Sequence, residues 1–348
     1  MNRIILTGLA ALFLAGTAQA QNITLTMTAS QPGAAADISA KNLAEIAAAD
    51  KIATIQVQVG QVLTKTMLQV AQGKTDISAA PFVLKFLMER GLGPYSGLGK
   101  EKGKAAADSL RLLYPYHIAS FYLIAYQSTG IDSYDKLKGK TVFNGPPRGG
   151  ALILARQVIQ ATTGLKEGKG YTGKQIAWGQ ANSIFLDRSV DAAVRPGTNP
   201  ASYIPIIMAA GKINIISVPK AKFESKDWLK LRNSPGRVSI NYSVGEMQNS
   251  YGPNARIISD DDTFRTVADA AGDVVNKNMD KKLAKALTAA FIKSVPDLLK
   301  KTPFAKGQLF GNIDDKKMGM CRAGVKFHPG AVEAWEEAGF KVPDCAKP

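Results

Sequence analysis

Arg148 stands in a loop with Gly145, Gly149 and Gly150, and the apolar-periodic run Ala151–Thr163 follows it. A short strand, Thr141-Val142-Phe143, precedes the loop. Strand, glycine-rich loop and helix start together offer free backbone N–H groups at the positive end of a helix dipole, which is anion-holding chemistry. The spacing matches neither Gly-x-Gly-x-x-Gly nor Gly-x-x-x-x-Gly-Lys-Ser/Thr, so dinucleotide and P-loop readings are set aside. Arginine brings a planar fork suited to carboxylate or phosphate. Arg195 repeats the theme: it follows Ser189–Val194 and opens the turn Pro196-Gly197-Thr198-Asn199. Two such loops side by side are expected to suit a ligand with one or two carboxylates. Asn144, Gly149, Gly150 and Thr198 are the further candidates on this side. Thr28, Ser30 and Gln31 after the first strand, and Gln61 after Gly60, are the candidates across from them.

Other chemistries find little footing. The two histidines, His117 and His328, have no metal-spaced partner. No Gly-x-Ser-x-Gly elbow is present. Asp260-Asp261-Asp262 reads as a solvated loop. No cofactor is expected, and the chain reads as a binder, not an enzyme. A formal charge of +16 raises the question of nucleic acid, but Lys and Arg are scattered among Asp and Glu, with no basic block carrying stacking aromatics. No nucleic-acid partner is expected, and the chain is taken as a monomer.

The N-terminus addresses the chain for export. Met1-Asn2-Arg3 is basic, Ile4 to about Gly16 is apolar, and Ala18-Gln19-Ala20 is a small-residue cleavage site. Residues 1–20 are therefore expected to be a leader cleaved after Ala20, with no later run long enough to span a bilayer. In an oxidising compartment Cys321 and Cys345 are expected to pair, worth roughly 3 kcal/mol for a loop of this size.

The elements that must position the candidate residues follow a βαβαβ rhythm. Asn22–Thr28 and Thr54–Val59 alternate apolar and polar residues as strands do, and Ile77–Ala80 is a third. Helices are expected up to about Ala49 and again after Gly60. The glycine-rich stretch 91–105 reads as a surface loop. Leu110–Tyr126 reads as two extended runs parted by a turn at Pro115. The rhythm restarts after Asp132, with further strands at Gln175–Trp178, Ser189–Val194 and Ile213–Val218, and a helix from Asn199-Pro200 to about Ala210. Two more helices are expected at Asp280–Val295 and after His328-Pro329-Gly330. The fold class is α/β, two-lobed, each lobe a mixed, mostly parallel sheet flanked by helices. Lobe 1 takes residues 21–118 and 276–348, and lobe 2 takes 119–275, with hinge crossings near 119–128 and 263–275. In such sheets ligands sit off the carboxyl ends of the strands.

Four stretches carry a resemblance over nearly the whole chain. They are Ile131–Val142 (IDSYDKLKGKTV), the Gly145–Gly150 loop, Ser189–Val194 with Gly197 and Pro200, and Phe327-His328-Pro329-Gly330-Ala331 with Gly339. In these the chain resembles the extracytoplasmic solute receptors of the TAXI subgroup of TRAP transporters, which have a type II periplasmic binding fold related to other NMT1-like binding proteins. The resemblance implies a periplasmic receptor for a small organic anion and a TRAP-type integral membrane permease as partner. The implied ligands are C4–C5 dicarboxylates such as 2-oxoglutarate, or acidic amino acids such as glutamate. A receptor for an ABC importer, or a secreted hydrolase on the same scaffold, are the alternatives. The chain departs from the family at Gly60-Gln61-Val62-Leu63-Thr64 and at Ala79-Ala80-Pro81-Phe82, both in the first-lobe half of the expected pocket.

Overall fold

Strands form where side chains alternate between two environments, and the first two come out much as the alternation predicts, Thr24–Thr28 (β1) and Thr54–Gln58 (β2), while the third, Ile77–Pro81 (β3), is buried on both faces. The computed structural model describes residues 23–348, so the leader expected over residues 1–20 lies outside the described residues. The remaining strands are Leu110–Tyr126 (β4), Thr141–Phe143 (β5), Thr172–Lys174 (β6), Ala192–Gly197 (β7), Ile213–Ile216 (β8), Arg237–Ser243 (β9), Ala255–Ile258 (β10) and Thr263–Asn276 (β11). Five helices matter for the site: Ala35–Ala49 (α1), Leu63–Ala71 (α2), Phe82–Glu89 (α3), Gly99–Ala107 (α4) and Gly150–Thr163 (α5).

All the strands join one mixed sheet in the order β2-β1-β3-β11-β4-β7-β5-β6, with β8 and β10 attached beside β4 and β9 beside β11. The β1–β2 and β1–β3 pairs are parallel, as are β5–β6 and β5–β7. The long strands β4 and β11 run antiparallel to each other from Asn276 opposite Leu110 to Ala268 opposite Ser120, with register shifts at Asp269/Ala270 and Asp273/Val274. Buried side chains divide along the same line. One cluster draws on Leu25–Ala119 and Ala268–Ala346 together with Val238, and two others draw on residues between Phe121 and Val267. The architecture is α/β, a curled mixed sheet with helices packed on its faces.

Several expectations need correcting. Leu110–Tyr126 is one continuous strand with no turn at Pro115. There β4 has β11 on one side, while β7 and β8 join only from Ser120 and Leu123 onward, so the missing proline N–H breaks no ladder on that flank. Residues 91–105 are not an open loop: Gly93–Leu98 is a 3-10 turn and α4 follows. Gly103 is used for close approach, since a side chain there would run into the Met88 carbonyl of α3. The strand expected at Gln175–Trp178 lies earlier, at Thr172–Lys174, and Trp178–Gln180 is a 3-10 turn. The helix expected from Asn199-Pro200 is reduced to Ile204–Met208. Cys321 and Cys345 are joined as a disulfide, with Cα atoms 5.4 Å apart.

Candidate functional site

The carboxyl ends of β1, β3, β5 and β7 point toward one another across the junction of the two halves, and a cavity of about 60 Å³ lies between them. One half contributes Ser30, Gln31 and Ala34 after β1, Val62 and Leu63 at the start of α2, and Pro81 and Leu84 after β3. The other contributes Pro146, Gly149, Gly150 and Ala151 at the start of α5, together with Trp178 and Pro196. The long strands complete the wall with Ile118, Ala119, Phe121 and Asp269. The lining is thus mostly hydrocarbon, its side-chain polar groups being those of Ser30, Gln31, Asp269 and the Trp178 indole N–H, beside backbone.

Contacts across the cavity hold the halves together. Gln31 Nε2 donates to the Pro196 carbonyl at 3.1 Å, and Arg195 Nη2 donates to Gln31 Oε1 at 3.0 Å. Thr64 Oγ1 donates to the Arg148 carbonyl at 3.4 Å, and Ser202 Oγ to the Gly33 carbonyl at 3.3 Å. Gly150 allows α5 to approach α3: a Cβ there would lie 3.4 Å from the Leu84 side chain. Gly149 precedes α5 as its N-cap, and no side chain caps that helix, so its first N–H groups have only backbone, solvent or ligand to meet.

Arg195 is buried at 4 % exposure. Its Nη1 donates to Asn182 Oδ1 at 3.0 Å, its guanidinium lies 3.7 Å from the Tyr203 ring centroid, and its Nε has no partner among the described residues. Burial lowers its pKa. With Gln31 and Asn182 holding both terminal nitrogens, it stands behind the cavity wall and braces Gln31. Asp269 is also buried and forms an ion pair with Arg237 of β9, whose pKa burial pushes down to about 9. The pair brings one carboxylate to the cavity wall with its counter-charge already in place.

Of the candidate residues read from sequence, Ser30, Gln31, Gly149 and Gly150 line the cavity. Arg148 is exposed, in a left-handed backbone conformation (φ 59°), and outside the lining. Asn144 is buried but turned to a polar cluster beyond β5, donating to Glu167 Oε2 at 2.7 Å and accepting from Gln175 Nε2 at 2.8 Å. Thr198 is engaged within its own turn, its Oγ1 donating to the Pro200 carbonyl at 2.7 Å. Thr28 is buried with its hydroxyl unpartnered among the described residues, and Gln61 Nε2 reaches the Val59 carbonyl at 3.5 Å; neither lines the cavity. Asp269, Leu84 and Trp178 escaped the sequence reading. Two aspartates, Asp269 and Asp273, inside the otherwise apolar run Val267–Val275 are the available signal.

The fold and this cleft define an α/β chain, a curled mixed sheet flanked by helices with a cavity where the strand ends meet. The chain belongs to the NMT1-like family, whose profile matches residues 38–339. Among solved structures it is similar to a TRAP periplasmic solute-binding protein from Desulfovibrio salexigens in complex with diglycerolphosphate, at 14 % identity and a TM-score of 0.48, over 94 % of this chain and 93 % of that one. A second, from Ralstonia eutropha H16 with bound (S)-2-acetolactate, aligns at 13 % identity and a TM-score of 0.46, over 92 % and 86 % of the two chains. A third, from Roseobacter denitrificans OCh 114 with bound L-galactonate, aligns at 11 % identity and a TM-score of 0.45, over 93 % and 96 %.

Proposed function

We propose that this protein is a periplasmic solute receptor that captures a small organic anion by closure of its two halves and delivers it to a TRAP-type membrane permease. The observation that carries the reading is the cavity between the halves, bridged by the hydrogen bonds from Gln31 to Pro196 and from Arg195 to Gln31. A ligand touching Ser30 and Gln31 on one side and Gly149 and Gly150 on the other binds the closed form better than the open one, and so shifts the equilibrium by that difference. Residues 21–118 and 276–348 form one lobe in this reading and 119–275 the other, although the first buried cluster also takes in Ala119, Val238 and the apolar residues from Ala268 to Val275. Export through a leader cleaved after Ala20 places the receptor outside the cytoplasm. In this reading the protein binds its ligand and returns it unchanged.

Thermal denaturation of the purified protein against a panel of organic acids and amino acids tests the reading, with dicarboxylates and acidic amino acids in the panel. A ligand present at a hundred times its Kd is expected to stabilise the fold by about 2.7 kcal/mol. If no acid of any class raises the midpoint or binds by calorimetry, the receptor reading fails.

A further inference from the structure

We infer that the cleft selects a compact monocarboxylate with an apolar body, in preference to the dicarboxylates that the family resemblance implies; this rests on the receptor reading above. A second carboxylate would enter a cavity whose lining carries no Lys or Arg side chain. Arg195 already holds Gln31 and Asn182, Arg237 already holds Asp269, and Arg148 lies outside. Asp269 lines the cavity with Arg237 already neutralising it, so that pair offers a ligand carboxylate no spare positive charge. A buried charge without a partner is strongly disfavoured.

An apolar body has the opposite reception. Leu63, Leu84, Ile118, Ala119, Phe121 and Trp178 offer it hydrocarbon and aromatic wall, most of it already withdrawn from solvent. One carboxylate does have a place. Ser30 and Gln31 form a polar edge that faces the backbone of Gly149 and Gly150, and the neighbouring guanidinium polarises the Gln31 amide. Specificity in such a site comes as much from what is repelled as from what is attracted.

The test uses two isosteric probes on the purified full-length protein. 4-Methylpentanoate and succinate differ in that an isopropyl group replaces the second carboxylate. Binding is read by titration calorimetry and by Trp178-sensitive emission. The expected result is one-to-one binding of 4-methylpentanoate at least about ten-fold tighter than succinate, the gain that two buried methyl groups supply. Succinate binding as tightly or more tightly, or binding only by glutamate or 2-oxoglutarate, overturns the inference and leaves the receptor reading standing. Silence from both probes and from the whole acid panel removes the receptor reading, and this inference with it.

Discussion

Asp273 sits on β11 with its side chain fully buried, accepting hydrogen bonds from Ser39 Oγ at 2.6 Å and Tyr116 OH at 2.8 Å. No cation pairs with it among the described residues. Burial is the dominant influence and pushes its pKa from 3.8 up to about 6, against the pull of its hydrogen-bond donors. A carboxyl whose folded-state pKa is raised supports the fold fully below its unfolded value, and that support is lost as pH climbs through the folded value. The gap between 3.8 and about 6 corresponds to about 3 kcal/mol at pH well above 6. About 2 kcal/mol of that is lost between pH 4.5 and pH 7. Asp273→Asn keeps the shape and cannot ionise, and Ser39 and the tyrosine hydroxyl can accept from its amide as well as donate. The variant is therefore expected to be more stable than the wild type at pH 7, with the advantage shrinking by about 2 kcal/mol at pH 4.5. Urea unfolding of both proteins at pH 4.5, 5.5 and 7 measures this directly. Parallel stability curves, with the same difference at every pH, would refute the reasoning and mean that Asp273 is charged and fully accommodated in the fold.

Gln31→Ala removes the acceptor of Arg195 Nη2 and the donor to Pro196 together, so ligand affinity in calorimetry is expected to fall by ~1.5–3 kcal/mol, the scale of a hydrogen bond to a charged group. Arg148→Ala acts on an exposed side chain outside the cavity; melting and affinity are both expected to stay within about 0.5 kcal/mol of wild type. Reduction of the Cys321–Cys345 bond is expected to lower unfolding stability by roughly 3 kcal/mol, and two thiols should titrate only after reductant is added. Incubation of purified protein with any ligand it binds is expected to return that ligand unchanged by mass spectrometry; a converted product that co-purifies with the protein through successive columns would contradict a pure receptor.

The parts of the fold that were legible in the sequence are those set by local periodicity. β1 and β2 announce themselves through alternation, and α5 through its apolar stripe and closing Gly164. The misreadings share a cause. Gly103 looks like a loop residue until α3 is packed against it, and Pro115 looks like a breaker until the strand is seen to lack a second neighbour there. Both residues answer to contacts that only the folded chain creates. The site divides similarly. Ser30, Gln31, Gly149 and Gly150 could be picked because loops at strand ends near helix starts are where ligands gather, and all four line the cavity. Arg148 and Arg195 stand at the same kind of loop, but neither position nor chemistry tells which way a side chain turns. Leu84 and Trp178 carried no signal, because an apolar residue in a cleft reads the same as one in a core.

The antiparallel pairing of β4 with β11 has a mechanical consequence. Both strands run from one half of the molecule to the other while bonded to each other, so they link the halves as a single two-stranded strap rather than as two independent tethers. Such a strap resists sliding of one half past the other, because each step of shear would break several cross-strand bonds at once. Bending and twisting leave those bonds in place and are correspondingly soft. The permitted relative movement therefore reduces to rotation, concentrated where the ladder is already interrupted. One interruption falls at Asp269/Ala270, and Asp269 lines the cavity. In the proposed receptor reading the pivot and the ligand space then share a wall, so a bound ligand presses on the strap at the point where it yields most easily.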